Sequence, residues 1–65
     1  MEYMLKIKEI RKAKHMTQQQ VYQDICSDRH YSRIENNQSN ISIYLLLEFA
    51  ERLNCMVDDL IIKVK

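Results

Sequence analysis

The stretch that decides the fold is TQQQVYQDICSDRHYSRIENN, residues 17–37. Its pattern predicts two short helices that are joined by a tight turn. Thr17 opens a T-x-x-Q sequence, which is the spacing of a capping box, so we expect the first of these helices over about 18–25. Ser27 is the candidate cap of the second helix, which we expect over about 28–36.

The second of these helices has an apolar side and a charged side. Tyr31 and Ile34 lie three residues apart and are expected to face the core. Asp28 in the first turn favours the helix dipole. The pair Asn36 and Asn37 is expected to end the helix, because asparagine tolerates the left-handed conformation that helix ends often require.

The rest of the chain predicts three more helices, over about 4–14, 43–53 and 57–62. The expected inward residues of the first of these are Tyr3, Ile7, Ile10 and Met16. The strongest helical stripe of the chain is Leu46, Phe49, Ala50 and Leu53. The tail 61–65 could fray, or it could add a short strand beside the N-terminus. Because the chain has no glycine and no proline, the prediction is an all-α, five-helix, single domain over 1–65.

Length and composition argue against an enzyme. A chain of 65 residues is near the lower limit for folding alone and leaves little room for a catalytic pocket. Cys26, Cys55, His15 and His30 show no metal-ligand spacing and no nucleophile setting, so we expect no catalytic residue, no metal and no cofactor. The cysteines are expected to be small buried side chains in a reducing compartment. Without a signal peptide or a long apolar run, a cytoplasmic location and no membrane association are expected.

The charge is unevenly distributed along the chain, although its net value is only +1. Residues 1–16 hold five basic and two acidic side chains, whereas residues 41–65 hold three basic and four acidic ones. This asymmetry suits a protein with one side that faces an anion. A solvated, lysine-rich first helix would explain it equally well.

Three segments resemble the Cro/C1-type helix-turn-helix domain, also called the XRE family. They are IKEIRKAKHMTQQQV (7–21), YSRIENN (31–37) and SIYLLLEFAERLN (42–54), and the resemblance covers about 3–62. It implies a compact lambda-repressor-like fold and a bacterial or phage transcription regulator, such as a repressor. It also implies an ion pair between Arg11 and Glu35, for which the alternative is two separate surface charges.

The turn between the two helices is one residue shorter than in most members of the family. In this form, DICSDRHYSRIEN (24–36), it is most similar to the peptide-sensing regulators of Gram-positive bacteria. The chain also departs from the family by having His15 and Asn37 where glycine is common. Asn37 is easily accepted, whereas His15 implies either strain or a turn that is built differently.

The expected reading face of the second helix points away from Tyr31 and Ile34. Arg29 and Arg33 are four residues apart and share one side of the helix, and an arginine fork can bind guanine O6 and N7. We expect base contacts from Arg29, His30 and Arg33, and a further one from Asp28. Asp28 would either accept from a cytosine amino group or cap the helix and orient Arg29.

The expected contacts with the DNA backbone flank this helix. Gln18, at the start of the preceding helix, suits a phosphate. The resemblance places further backbone contacts at Asn36, Asn37 and Asn40, for which turn formation is the alternative. The aromatic residues are expected to pack in the core, except Tyr44, which could reach a phosphate or a partner subunit.

The expected partner is double-stranded DNA with a palindromic operator. A single short helix offers few base contacts, so a homodimer is expected to read two half-sites about one helical turn apart. The dimer surface is expected on the fifth helix and the tail, where the apolar residues are Met56, Leu60, Ile62 and Val64. The alternatives are a protein-interaction module of the same fold, such as an antitoxin or adaptor, and the DNA-binding fragment of a larger peptide-sensing regulator.

Overall fold

A computed structural model describes residues 3–64 of the chain. Residues 1 and 2, and Lys65 at the end of the predicted tail, lie outside the described residues. Along the described residues, the elements are β1 (Tyr3–Leu5), α1 (Ile7–Ala13), α2 (Gln18–Tyr22), α3 (Asp28–Glu35), α4 (Ile43–Arg52), α5 (Val57–Leu60) and β2 (Ile61–Lys63). This architecture confirms the predicted all-α class with five helices and the short strand in the tail.

Three helices begin where a hydroxyl side chain accepts a hydrogen bond from the first turn. Thr17 Oγ1 accepts from the backbone amide of Gln20 at 3.1 Å, and Gln20 Oε1 accepts from the Thr17 amide at 2.8 Å. This reciprocal pair is the predicted capping box of α2. Ser27 and Ser42 cap α3 and α4 with single bonds of 3.1 and 3.2 Å.

The turn between α2 and α3 differs from the prediction, because α2 ends at Tyr22 rather than near residue 25. The helix is interrupted at Gln23, which has a ψ of 129°, and at Asp24, which follows with a φ of 67° in the left-handed region. The amides of Ile25 and Cys26 turn back to the Tyr22 carbonyl at 2.8 and 3.1 Å. Ile25 is therefore in a turn, where it still packs against the core.

The N-terminal segment also differs from the prediction. Residues 3–5 form a strand rather than the start of a helix, so Tyr3 does not face inward and is 59% exposed. β1 pairs antiparallel with β2, with Leu5 opposite Ile61 and Met4 opposite Ile62. Pairing with β1 explains why α5 ends at Leu60 and not near residue 62. We call β1 and β2 the terminal sheet.

The core lies between α3, α4 and the ends of the other elements. Tyr31 is fully buried, with its ring 5.4 Å from that of Tyr22 and 5.6 Å from that of Phe49. These aromatic residues pack as predicted. The buried apolar residues are Ile7, Val21, Tyr31, Ile34, Leu46, Phe49, Ala50, Leu53 and Leu60. The α4 stripe and the inward pair of α3 are thereby confirmed.

Four residues of the described chain have a left-handed backbone: His15, Asp24, Asn37 and Asn54, with φ between 55° and 67°. Asparagine and aspartate accept this conformation at little cost, so three of the four turns are readily made without glycine. His15 is the exception, and its position is one where the related family commonly has glycine. None of the helices in residues 3–64 is both long and apolar enough to cross a bilayer.

Candidate nucleic-acid interface

Glu35, the last residue of α3, lies behind the candidate interface and holds the surrounding helices together. It is only 5% exposed and accepts hydrogen bonds from three other side chains. Arg11 Nε donates to Oε2 at 2.8 Å, Tyr31 Oη donates to Oε2 at 2.6 Å, and Gln18 Nε2 donates to Oε1 at 2.8 Å. We call Arg11, Gln18, Tyr31 and Glu35 the Glu35 cluster. It joins α1, α2 and α3, so the orientation of α3 is fixed by bonds as well as by packing.

The Glu35 cluster is held together by charge as well as by geometry. Burial alone would raise the pKa of Glu35, but the hydrogen bonds from Arg11, Tyr31 and Gln18 outweigh it and lower that pKa. The bond with Glu35 raises the pKa of Arg11. Burial and the adjacent carboxylate raise the pKa of the Tyr31 hydroxyl, which remains a proton donor. The carboxylate is therefore ionised and paired.

Arg11 has a second contact within the same region. Its Nη1 donates to the Met16 carbonyl at 2.9 Å, in the turn that leads from α1 to α2. The Arg11–Glu35 ion pair is thus present in the structure, where Arg11 also supports the turn that precedes Thr17. The side chain of Arg11 is 12% exposed, which leaves its guanidinium little surface to offer a ligand.

The outward side of α3 carries the charged residues. Tyr31, Ile34 and Glu35 are buried, so the opposite side of the helix carries Arg29 and Arg33, which are both exposed. Asp28 is exposed at the first turn, and His30 is half-buried at the edge. We call Asp28, Arg29, His30 and Arg33 the reading face. The two arginines are one helical turn apart, which is the geometry expected of neighbouring base contacts.

The four candidate backbone-contact residues occupy different environments. Asn36 and Asn40 are exposed at the end of α3 and in the loop that follows. The Gln18 side chain is bonded to Glu35, a contact that the sequence did not reveal. Asn37 Oδ1 accepts from the Leu5 amide at 2.8 Å, and Asn37 Nδ2 donates to the Leu5 carbonyl at 3.4 Å. The side chain of Asn37 is therefore engaged by β1.

Arg52, at the end of α4, is a structural residue that sequence reasoning missed. Its Nη1 donates to the Gln20 carbonyl at 3.0 Å and so connects α4 to α2. A contact between residues 32 positions apart leaves no local signal in the sequence.

Two groups of apolar residues remain exposed on the surface. On the terminal sheet, Met4 and Ile62 are opposite each other and exposed, and Val64 follows them; we call these three residues the sheet patch. Met56 is also exposed. Leu60 is fully buried, so the prediction that Leu60 contributes to a dimer surface is wrong. Leu60 is the only apolar residue of α5 that is fully buried, so it leaves no surface for a partner subunit.

The second group is on α4. Ile43, Tyr44 and Leu47 are 57%, 79% and 52% exposed, and we call them the α4 patch. Leu46, Phe49 and Ala50 of the same helix are buried. Ile43 and Leu47 lie next to this buried stripe, since Ile43 is seven residues and Leu47 three residues before Ala50. The high exposure of Tyr44 agrees with its being set apart from the packed aromatic residues, but Tyr3, which was expected to pack, is exposed as well.

Comparison with known proteins gives one match. A family model described as helix-turn-helix, of the Cro/C1 type, matches residues 7–60, which includes all five helices of the described chain. No curated protein and no solved structure matches the chain.

Proposed function

Since this chain belongs to the Cro/C1-type (XRE) helix-turn-helix family of DNA-binding regulators, we propose that it reads a specific sequence in the major groove with α3. The observation that carries this proposal is the exposure of Arg29 and Arg33 on one side of a helix whose other side is buried. A helix that is braced by a preceding helix can enter the groove without losing its own support.

The proposed roles follow from the chemistry of each side chain. Arg29 and Arg33 would each donate two hydrogen bonds to a guanine, and His30 would donate to a base acceptor. Asp28, at the tip of the helix, would accept from a cytosine amino group or orient Arg29. These contacts form the proposed basis of sequence preference.

Contacts with phosphates would set the register of the helix in the groove. We propose that the amides of Asn36 and Asn40 bind phosphate oxygens beyond the end of α3, where both residues are exposed. Gln18 would also contact a phosphate from the start of α2, while its side-chain amide keeps its hydrogen bond with Glu35. Asn37 is not among the proposed phosphate contacts, because both polar atoms of its side-chain amide already bond Leu5.

We further propose that two copies bind a palindromic operator as a homodimer. One reading face per subunit offers few base contacts, whereas two faces about 34 Å apart would reach successive turns of the major groove. The sheet patch together with Met56 would form the dimer surface, because these residues leave apolar area exposed on a small domain. The family supports a DNA partner in general, and the dimer is our addition.

The test is binding to random-sequence duplex DNA over a series of salt concentrations, followed by selection of the preferred sequence. We expect affinity to fall steeply with salt, because phosphate contacts release counterions. A folded protein that shows no duplex binding at about 50 mM salt would overturn the proposal.

A substitution then tests the reading face. Arg33→Ala should relax the preference at one base position by about 1–3 kcal/mol, while leaving the other positions unchanged. The matched control is Lys63→Ala, which removes a cation from β2 outside the reading face. Equal loss at all positions in Arg33→Ala would assign Arg33 to a phosphate instead of a base.

A protein-interaction module of the same fold is the second candidate function. The α4 patch favours it, because three large apolar side chains are exposed on a single helix. In that case the salt series would show no duplex binding, and Tyr44→Ala would weaken capture of the protein partner.

A further inference from the structure

Asn37 connects the end of α3, which we call the reading helix, to the terminal sheet. It follows Asn36, the C-cap of α3, and has a φ of 57°. Its amide makes two hydrogen bonds with Leu5, in which Oδ1 accepts from the Leu5 amide and Nδ2 donates to the Leu5 carbonyl. The side chain thus bonds both polar groups of one strand residue, as a neighbouring strand would.

This bond is not required to hold α3 itself in place. Tyr31 and Ile34 are fully buried, and the Glu35 cluster joins α3 to α1 and α2. A glycine at position 37 would satisfy the left-handed backbone equally well but would supply no amide. What the side chain adds is therefore a fixed position for β1 relative to the end of α3.

Through β1, the bond extends to the whole terminal sheet. Leu5 is opposite Ile61 in β2, and the next residue, Lys6, donates its amide to the Leu60 carbonyl at 2.7 Å. The two strands have only three residues each. Leu5 and Ile61 also pack against the core, so the bonds from Asn37 add a directional polar contact to this apolar packing. The outer side of the sheet carries Met4 and Ile62 of the sheet patch.

We infer that Asn37 is a positioning residue that fixes the separation and angle of the two reading faces in the DNA-bound dimer, and so determines the half-site spacing that the protein accepts. The inference rests on the proposed function, in which α3 reads DNA and the sheet patch joins two subunits. Two reading helices engage both half-sites only if their separation matches the DNA helical repeat. A terminal sheet that is loosely held would accept several spacings with similar affinity.

The experiment compares the wild-type protein with Asn37→Gly on the sequence obtained by selection from random duplexes. Binding is measured to a single half-site and to full sites whose spacing changes one base pair at a time. For the wild type we expect a loss of about 10-fold or more one base pair from the best spacing. For Asn37→Gly we expect this difference to shrink to about 3-fold or less, with half-site affinity and salt dependence unchanged.

The matched control is Asn36→Ala, in the adjacent and exposed asparagine. If Asn36 binds a phosphate, its loss should weaken half-site and full-site binding alike and reduce the salt slope by about 1. The spacing preference should remain that of the wild type. The two neighbouring asparagines are therefore expected to give opposite results.

Amide hydrogen exchange provides a second measurement that does not depend on DNA. In Asn37→Gly, the Leu5 amide should exchange faster, while the amides of Tyr31 and Ile34 keep their protection. Loss of protection in α3 as well would make Asn37 a general stabilising residue and would overturn the inference.

The remaining outcomes are also distinct. An unchanged spacing profile in Asn37→Gly, with normal binding by the wild type, would overturn the inference and leave the proposed function standing. Parallel loss at half-site and full site, with a smaller salt slope, would overturn it in favour of a phosphate contact. If the wild type bound no duplex, the proposed function would fail and the positioning role would fail with it.

Discussion

The Glu35 cluster and the terminal sheet both contact the chain near the C-terminal end of α3, through Glu35 and Asn37, and they are built in different ways. In the cluster, a buried carboxylate accepts hydrogen bonds from three side chains that come from three helices. In the sheet, two strands of three residues are joined to α3 through the exposed amide of Asn37. The first region holds α3 in the domain, and in the proposed function the second region places the domain against a partner.

The energetic consequences of this difference can be ranked. A buried charge that loses its partner is strongly destabilising, because neither water nor another donor replaces it. A surface residue that is changed has little effect on folding. Substitutions in the cluster should therefore affect the free energy of unfolding, and substitutions in the sheet should affect association.

The largest expected effect is that of Glu35→Ala. It leaves the Arg11 guanidinium and the Tyr31 hydroxyl without their buried acceptor, and we expect a loss of about 3–5 kcal/mol in the free energy of unfolding. Since small domains have about 5–15 kcal/mol in total, this is much of the stability. Thermal and urea unfolding would measure the change.

The control for this substitution is Glu48→Ala, which removes an exposed carboxylate from α4 and should change stability by less than about 0.5 kcal/mol. Arg11→Ala should lower the melting temperature and weaken DNA binding together. A loss of DNA binding by Arg11→Ala at unchanged stability would mean that Arg11 contacts DNA directly.

The pH dependence of stability tests the charge on Glu35 separately from its hydrogen bonds. We expect this effect to be smaller than that of Glu35→Ala. The pKa of Glu35 is lower in the folded than in the unfolded protein, so the unfolded state binds the proton more readily. The stabilisation is therefore complete above the ordinary value near 4.5 and is lost as the pH falls through the lower, folded pKa. The gap in melting temperature between the wild type and Glu35→Gln should narrow over that range. A gap that stays constant until the wild type itself unfolds would rule out the charge as its source.

The features that could be predicted from the sequence are those that depend on nearby residues. The caps at Thr17 and Ser27 involve bonds within three residues, and both occur as expected. The buried side of α3 follows from the spacing of Tyr31 and Ile34, which in turn placed Arg29 and Arg33 outward. For this reason, the helical part of the fold and the outline of the candidate site could be predicted from the sequence.

The features that were missed depend on distant residues or on a single backbone conformation. β1 exists because it pairs with β2 at the other end of the chain, and its three residues carry too little pattern to distinguish a strand from the start of a helix. The early end of α2 results from the backbone conformation of Gln23 and the left-handed Asp24 that follows it. The bond between Gln18 and Glu35 appears only when the helices are assembled.

A smaller effect is expected at His15, in the turn that leads to the cluster. Its φ of 57° is unfavourable for a residue with a Cβ atom, by roughly 1–2 kcal/mol, and glycine would avoid that cost while losing some chain entropy on folding. We expect His15→Gly to stabilise the protein by about 0.5–1 kcal/mol, measured as a melting temperature several degrees higher. His15→Ala keeps the Cβ atom and serves as the control, which should bring no comparable gain.

Ile62→Lys, in the sheet patch, is expected to have the smallest effect on folding. It also gives the sharpest test of the difference between the Glu35 cluster and the terminal sheet. The side chain is exposed on the outer side of the terminal sheet, so the free energy of unfolding of the monomer should change by about 0.5 kcal/mol or less. A lysine there would place two like charges across the proposed dimer surface and should shift the protein to monomer in sedimentation at micromolar concentration. Leu47→Lys makes the same chemical change in the α4 patch and should leave the dimer intact. If Leu47→Lys gave the monomer and Ile62→Lys did not, the α4 patch would be the dimer surface, and the terminal sheet would lose its proposed role in placing the reading helix.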